Sequence, residues 1–282
     1  MASEWQRLGA VAPAELGEAR LQLHWAAQIL SASADAWLQA AQDDSHSNME
    51  WRPEHAALAG ALLPGGGRLA LRVADLTLLV LGGPSDGATL PLRGETLAGA
   101  LGWADAFIGQ AAEMERASRV RDYDMPEHAV RDGAPFSAAS ESLEELARWY
   151  GNGDSLLREL AAGEPTATPI RCWPHHFDIA GIVYLDAPSP SARQLGFGLS
   201  PGDHYYAEPY FYVTPYPIPD GVAFPDLDAG GHWHRQGFNG AVQVGSKVVQ
   251  SGDDAPAQHD AARRFLSSAM AAARTIIPAS RP

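Results

Sequence analysis

The chain has 282 residues, of which 46% are hydrophobic and 19% are charged, a composition typical of an ordered globular protein. Its formal net charge of −14 disfavours the basic surface that nucleic-acid binding requires, and it equally disfavours an anionic membrane surface as a partner. The single cysteine, Cys172, excludes an intrachain disulfide, and the first residues show no signal-peptide pattern. These features predict a soluble cytoplasmic protein with no nucleic-acid or membrane partner.

Helices and strands alternate along the N-terminal half. Apolar residues recur at helical spacing over 15–40, and a second helical pattern covers 96–115. Between them, residues 68–73 alternate as a strand should, and the apolar run 76–81 predicts a buried strand. The polar segment 118–136 contains prolines and glycines, so we place the mid-chain connection there.

The C-terminal half has a similar outline. A helical pattern covers 142–162 with an interruption at Asn152 and Gly153, and a final amphipathic helix is predicted over 257–277. Strands are predicted between these helices at 170–185, 195–199, 204–214 and 238–249. A proline-rich loop, 215–225, follows the third of these strands.

The order of the predicted elements favours the α+β class, with mixed or antiparallel sheet. We predict an N-terminal half, residues 1–125, and a C-terminal half, residues 126–282, which together would form one integrated domain or two. Each half follows the order helix, strand, hairpin, helix. An internal duplication would explain this similarity.

The candidate functional residues are concentrated between residues 173 and 239, where half of the ten histidines lie. Side chains alternate across a strand, so His176 and Asp178 would share one face of the predicted strand 170–185. By the same rule, His204 and Glu208 would share one face of the strand 204–214. If these two strands pair, all four side chains converge.

Two histidines and a carboxylate are the minimal ligand set of a catalytic zinc or a non-haem iron site. We therefore predict that His176, Asp178, His204 and Glu208 are metal ligands or acid–base groups. The cofactor would be a divalent metal, zinc or iron. His232 and His234 form a second i, i+2 pair that would supply further ligands. The predicted substrate-binding residues are Trp173, Tyr206, Tyr210 and Tyr212.

Three other interpretations of the same residues stay open. Tyrosine and histidine on a half-exposed sheet face often only cover it, and a polar pocket without metal would use the same groups. Asp203, which follows Pro201 and Gly202, is typical of a turn residue. In the non-catalytic alternative, the tyrosines and the 215–225 loop form a ligand-binding or protein-docking surface, or the interface of a homodimer.

Three blocks of sequence resemble a family of uncharacterised bacterial proteins, a domain of unknown function. They are Leu-His-Trp-Ala-Ala-Gln-Ile-Leu at 23–30, Trp-Pro-His-His-Phe-Asp-Ile-Ala at 173–180, and the segment 200–215, which opens with Ser-Pro-Gly-Asp. The resemblance extends over most of the chain and implies kinship without a known activity. The functional prediction is a metal-dependent enzyme, or a binding protein, for a small polar molecule.

Overall fold

The computed structural model describes residues 5–189 and 191–278 of the chain. These residues form helices and two antiparallel sheets, which confirms the predicted α+β class. Among the described residues, no helix combines the length and apolarity that a membrane span requires.

The chain divides into two compact units that interleave along the sequence. The N-terminal unit comprises Glu15–Ala147 and Arg171–Phe177. The C-terminal unit comprises Met1–Ala14, Arg148–Ile170 and Asp178–Pro282. Residue 125, the predicted end of the first half, lies inside the N-terminal unit. The duplication stays a prediction.

The N-terminal unit combines long helices with a five-stranded antiparallel sheet. Its main helices are α1 (Gly17–Trp37) and α2 (Leu97–Ala112). The sheet strands, in spatial and chain order, are β1 (Glu50–Arg52), β2 (Ala57–Ala59), β3 (Arg68–Arg72), β4 (Thr77–Leu81) and β5 (Thr89–Pro91). The short strand β6 (Arg171–Cys172) also belongs to this unit, where Cys172 exchanges backbone hydrogen bonds with Met49.

The C-terminal unit is built on an antiparallel sheet with the spatial order β10-β11-β9-β8-β7. These strands are β7 (Ile179–Tyr184), β8 (Gln194–Ser200), β9 (Tyr210–Tyr216), β10 (His232–His234) and β11 (Gly240–Val244). The helices are α3 (Ser140–Ala162), of which residues 148–162 belong to this unit, α4 (Gly245–Gln250) and α5 (Ala255–Ile276).

Helices α3 and α5 cover one face of this sheet. Trp149 of α3 packs beside Phe211 of β9, with ring centroids 6.4 Å apart. Gly153 lies so close to Leu199 and Ile179 that a Cβ atom there would be 2.5 Å from the Leu199 side chain. The close packing explains why α3 runs through Asn152 and Gly153, where an interruption was predicted. The buried residues Ile179, Leu199 and Phe211 thus form part of the core on this side of the sheet.

Three strand predictions are wrong at their ends. The predicted strand 170–185 is divided, because Pro174 opens a turn that closes with a hydrogen bond from the Phe177 amide to the Trp173 carbonyl at 2.7 Å. Residues 204–209 form a loop before β9 instead of the first half of a strand. The predicted strand 238–249 ends at Val244, where α4 begins.

Candidate functional site

The candidate site lies on the sheet face of the C-terminal unit that α3 and α5 leave uncovered, which we call the open face. Residues in register across the strands share this face. One row of the open face runs Ala180, Gly198, Tyr212, Val242 and His232. A neighbouring row contains Ile182, Gly196 and Thr214. The predicted partners β7 and β9 are not neighbours, because β8 lies between them.

Tyr212 nevertheless reaches Asp178 by lying across β8. Its hydroxyl donates a short hydrogen bond to Asp178 Oδ2, and Asp178 is buried. The phenol passes over Gly198, where a Cβ atom would be 2.6 Å from the hydroxyl oxygen. Desolvation of the hydroxyl, followed by the Asp178 charge, raises the pKa of Tyr212 well above its ordinary value of 10.0. Tyr212 therefore acts as a donor that fixes the Asp178 carboxylate.

Asp203 organises the loop that precedes β9. Its Oδ1 accepts the backbone amides of Tyr205 at 2.7 Å and Tyr206 at 3.0 Å, as a turn-forming aspartate does. Its Oδ2 accepts the hydroxyl of the buried Tyr210 at 2.6 Å. Burial and then Asp203 raise the pKa of Tyr210 above its ordinary range. These bonds fix the position of Tyr206 on the loop.

The Tyr206 hydroxyl lies between two histidines of β10. It is 2.9 Å from His232 Nε2 and 2.8 Å from His234 Nδ1. Its pKa is raised, first by desolvation and then by Asp203, so the phenol keeps its proton at neutral pH. We call the three side chains His232, Tyr206 and His234 the relay.

The direction of the relay follows from a backbone carbonyl. His234 Nε2 is 2.5 Å from the Gln236 carbonyl oxygen, which only accepts, so Nε2 carries a proton. In neutral His234, Nδ1 then has the lone pair and accepts the Tyr206 hydroxyl proton. The Tyr206 oxygen in turn accepts from His232, whose proton must be on Nε2. The order of donation is His232, Tyr206, His234, Gln236 carbonyl.

His232 occupies the outer end of the relay. Its side chain is exposed, and within the described residues no hydrogen bond reaches its second nitrogen, Nδ1. Desolvation, followed by the nearby His234, lowers the pKa of His232 below its ordinary value of 6.5. At neutral pH the ring is therefore neutral, with a lone pair on a nitrogen that a ligand can reach.

His204 and Glu208 were predicted to share one face of a strand, but both lie on the loop before β9. Glu208 accepts the backbone amide of Ser246 at 2.6 Å and the Ser246 hydroxyl at 3.1 Å, at the start of α4. A carboxylate at a helix N-terminus is a common stabilising arrangement, so these contacts give Glu208 a local structural role. His204 is exposed on the loop, with its ring centroid 3.8 Å from that of Tyr205.

His176 and Trp173 belong to the N-terminal unit. His176 is exposed on the turn after Pro174, with its ring 4.2 Å from that of His175, and the half-buried Trp173 contacts His175 edge-on. This turn is anchored to α1, because the Pro174 carbonyl accepts from His24 Nε2 at 2.8 Å and from Gln28 Nε2 at 2.7 Å. The Trp-Pro-His-His block thus has a structural role in its own unit.

Within residues 5–189 and 191–278, no three His, Cys, Asp or Glu side chains lie close enough together to hold a metal ion. In the relay, the Tyr206 hydroxyl occupies the space between the histidine nitrogens that a shared ion would take. Comparison with family models, with curated proteins and with solved structures finds no match to this chain.

Sequence reasoning missed several groups that build this site. It interpreted Asp203 only as a turn residue, and it did not consider the Gln236 carbonyl or Gly198. The spacing His232-Trp233-His234 was the available signal, because an i, i+2 pair puts both imidazoles on one face of a strand. The partner of that pair is a tyrosine that lies more than twenty-five positions earlier in the chain, and no local pattern indicates it.

Proposed function

We propose that the C-terminal unit is a general-base site for a small polar molecule, with His232 as the base and with Tyr206 and His234 as its proton relay. The observation that carries the proposal is the Tyr206 hydroxyl held between the two ring nitrogens at 2.9 and 2.8 Å. A neutral imidazole with one exposed nitrogen is the commonest general base in enzymes.

The proton transfer balances within the chain's own residues. His232 Nδ1 takes a proton from a hydroxyl group of the bound molecule, or from water, and leaves the electron pair on that oxygen. The Nε2 proton of His232 moves to the Tyr206 oxygen, and the Tyr206 proton moves to His234 Nδ1. The positive charge then lies on His234, whose Nε2–H group is already bonded to the Gln236 carbonyl.

The remaining polar residues position this relay. Asp203 holds the Tyr206 backbone and the Tyr210 hydroxyl, and the rings of Tyr206 and Tyr210 lie 5.0 Å apart. The ring of Tyr210 in turn lies 6.1 Å from that of Tyr212, which is fixed by Asp178. A site needs such support, because a misplacement of about 1 Å can lower the rate by about 100-fold.

The sequence-based metal hypothesis stays a prediction, and elemental analysis of the purified protein tests it. Stoichiometric zinc or iron that is lost in His232→Gln would contradict the relay, because a metal-bound His232 has no lone pair for a proton. The docking alternative has less support. The hydroxyls of Tyr206, Tyr210 and Tyr212 are engaged inside the unit, whereas the exposed tyrosines of the unit are Tyr205 and Tyr216.

The proposal predicts slow hydrolysis of an activated neutral ester, p-nitrophenyl acetate, with water as the molecule that His232 activates. The rate should rise with pH through a midpoint below 6.5, because the neutral form of His232 is the active one and its pKa is lowered. It should fall in heavy water, because a proton moves in the transition state. His232→Gln should lower the rate by about 100-fold, and Tyr206→Phe should give an intermediate loss.

His204→Gln is the matched control, because His204 is an exposed histidine of the same unit that lies outside the relay. It should keep the wild-type rate and pH profile. The proposal is wrong if His204→Gln removes the activity while His232→Gln keeps it, or if none of the three variants changes the rate.

A further inference from the structure

A cleft of about 510 Å³ lies on the open face, beside the relay. The register explains its floor: Gly196 of β8 lies between Ile182 of β7 and Thr214 of β9. Because Gly196 has no side chain, the Thr214 hydroxyl lies over this position, 2.5 Å from where a Cβ atom of residue 196 would be, and forms part of the floor. The residues that line the cleft are Ile182, Gln194, Gly196, Thr214, Pro215, Tyr216, Ile218, Phe238 and Asn239.

The lining contains aromatic and aliphatic surface, together with polar groups that carry no charge. Tyr216 is 47% exposed and offers its ring to a ligand. Gln194 and Asn239 each provide an amide that donates and accepts hydrogen bonds, and Thr214 adds a hydroxyl. The described lining residues include no acid, no base and no histidine.

This chemistry selects against charged ligands. A charged molecule would lose hydration in the cleft without gaining an opposite charge. The chain's formal net charge of −14 also repels anions. The complementary ligand has one flat apolar face for an aromatic ring and an edge of groups that both donate and accept hydrogen bonds. Ring hydroxyls meet this requirement, because each is donor and acceptor at once, as a side-chain amide is.

We propose that this cleft binds an uncharged sugar ring or cyclic polyol. The cleft adjoins the relay through Phe238, which lines it and stacks on His234 with ring centroids 4.2 Å apart and planes 17° apart. The binding claim stands on the cleft alone. The claim that the bound sugar is the substrate rests on the proposed function, since His232 would act on a hydroxyl group.

Saturation-transfer NMR with defined probes tests the binding claim. The probes are the methyl pyranosides of glucose, galactose and mannose, with myo-inositol as the polyol and methyl glucuronopyranoside as the charged counterpart. We expect at least one of the four neutral probes to receive saturation from the wild-type protein, and the glucuronoside to receive none. Signal from the pyranosides alone identifies a sugar, and signal from inositol identifies a polyol.

Two pairs of variants locate the binding. Tyr216→Ala removes the exposed ring and should raise the dissociation constant of the bound probe at least fivefold. Tyr216→Phe keeps the ring, and its dissociation constant should stay within twofold of the wild-type value. Asn239→Ala should weaken binding, and Asn48→Ala, in the other unit, should not. The inference is overturned if no neutral probe binds, if the glucuronoside binds equally well, or if Tyr216→Ala and Asn239→Ala bind like wild type.

The two proposals fail separately. Pyranoside or inositol binding that survives in His232→Gln, together with loss of ester hydrolysis in that variant, supports both. If the protein hydrolyses the ester but binds no neutral probe, the relay is supported and the proposal that the cleft binds a sugar is contradicted. Binding of a neutral probe without a His232-dependent rate leaves a sugar-binding unit that is not an enzyme.

Discussion

Acidification should remove about 3 kcal/mol of folding free energy through His24 alone. His24 is buried on α1, stacks on Phe177 with planes 7° apart, and uses Nε2 to bond the Pro174 carbonyl. Burial, the largest cause, lowers the pKa of His24 from 6.5 to about 4; the Pro174 carbonyl opposes this shift, and the nearby Arg20 adds to it.

The sign follows from the protonation states. The unfolded chain binds a proton at His24 near pH 6.5, whereas the folded chain keeps the ring neutral until about pH 4. The full contribution of neutral His24 is therefore present above pH 6.5, and it is lost as the pH falls from 6.5 to 4. Carboxylates that titrate in the same range add their own pH dependence.

Urea unfolding of wild type and His24→Gln at several pH values between 7.5 and 4 separates these contributions. Glutamine can still donate to the Pro174 carbonyl but cannot gain a proton. Its free energy of unfolding should therefore fall less on acidification than that of wild type, by about 3 kcal/mol. The exposed His55→Gln should follow the wild-type pH dependence. Equal pH dependence in wild type and His24→Gln would contradict this role.

Tyr212→Phe should destabilise the protein by about 1.5–3 kcal/mol, the usual contribution of a hydrogen bond to a charged group. The substitution removes the hydroxyl that Asp178 accepts and leaves a buried carboxylate with one donor fewer. Tyr216→Phe is the matched control, because Tyr216 lies on the same strand and face but is exposed; it should change the stability by less than about 0.5 kcal/mol.

Gly198→Ala tests the same contact from the opposite side. Its Cβ atom would lie 2.6 Å from the Tyr212 hydroxyl oxygen and 2.7 Å from the Ile179 backbone oxygen, so the phenol must move away from Asp178 and the backbone must shift. We expect a loss of about 1–3 kcal/mol that is less than additive with Tyr212→Phe, because both changes remove the Tyr212–Asp178 contact while the clash with Ile179 remains. Gly102→Ala in α2 is the control, because its added Cβ atom would have no neighbour within 4 Å. This substitution should leave the stability unchanged or increase it. Additive losses in the double variant would refute the shared contact.

The sequence predicts the regular elements well. Helices expected over 15–40, 96–115 and 257–277 are Gly17–Trp37, Leu97–Ala112 and Ala255–Ile276, because apolar residues at helical spacing face a core in each. Strand β3 is also close to its predicted range, 68–73. The short hairpin of β1 and β2 was not predicted, since three-residue strands carry almost no periodicity.

The site could be predicted only in part. Tyr206, Tyr210, Tyr212, His232 and Asp178 are indeed gathered by the C-terminal unit, but they form separate hydrogen-bonded groups. Alternation assigned Glu208 to a strand face, whereas its carboxylate bonds Ser246 of α4, a partner far along the chain. The alternation of side chains also could not predict the strand order, in which β8 separates β7 from β9. Tyr212 reaches Asp178 across β8 because residue 198 is a glycine.

The most direct test of the relay is the position of the imidazole protons on His232 and His234, measured by long-range proton–nitrogen NMR correlation in mildly alkaline solution. We expect a proton on Nε2 of both rings and a bare Nδ1, with His232 losing this fixed tautomer in Tyr206→Phe while His204 is unchanged. A proton on Nδ1 of His234, or a His232 signal that does not respond to Tyr206→Phe, would contradict the relay.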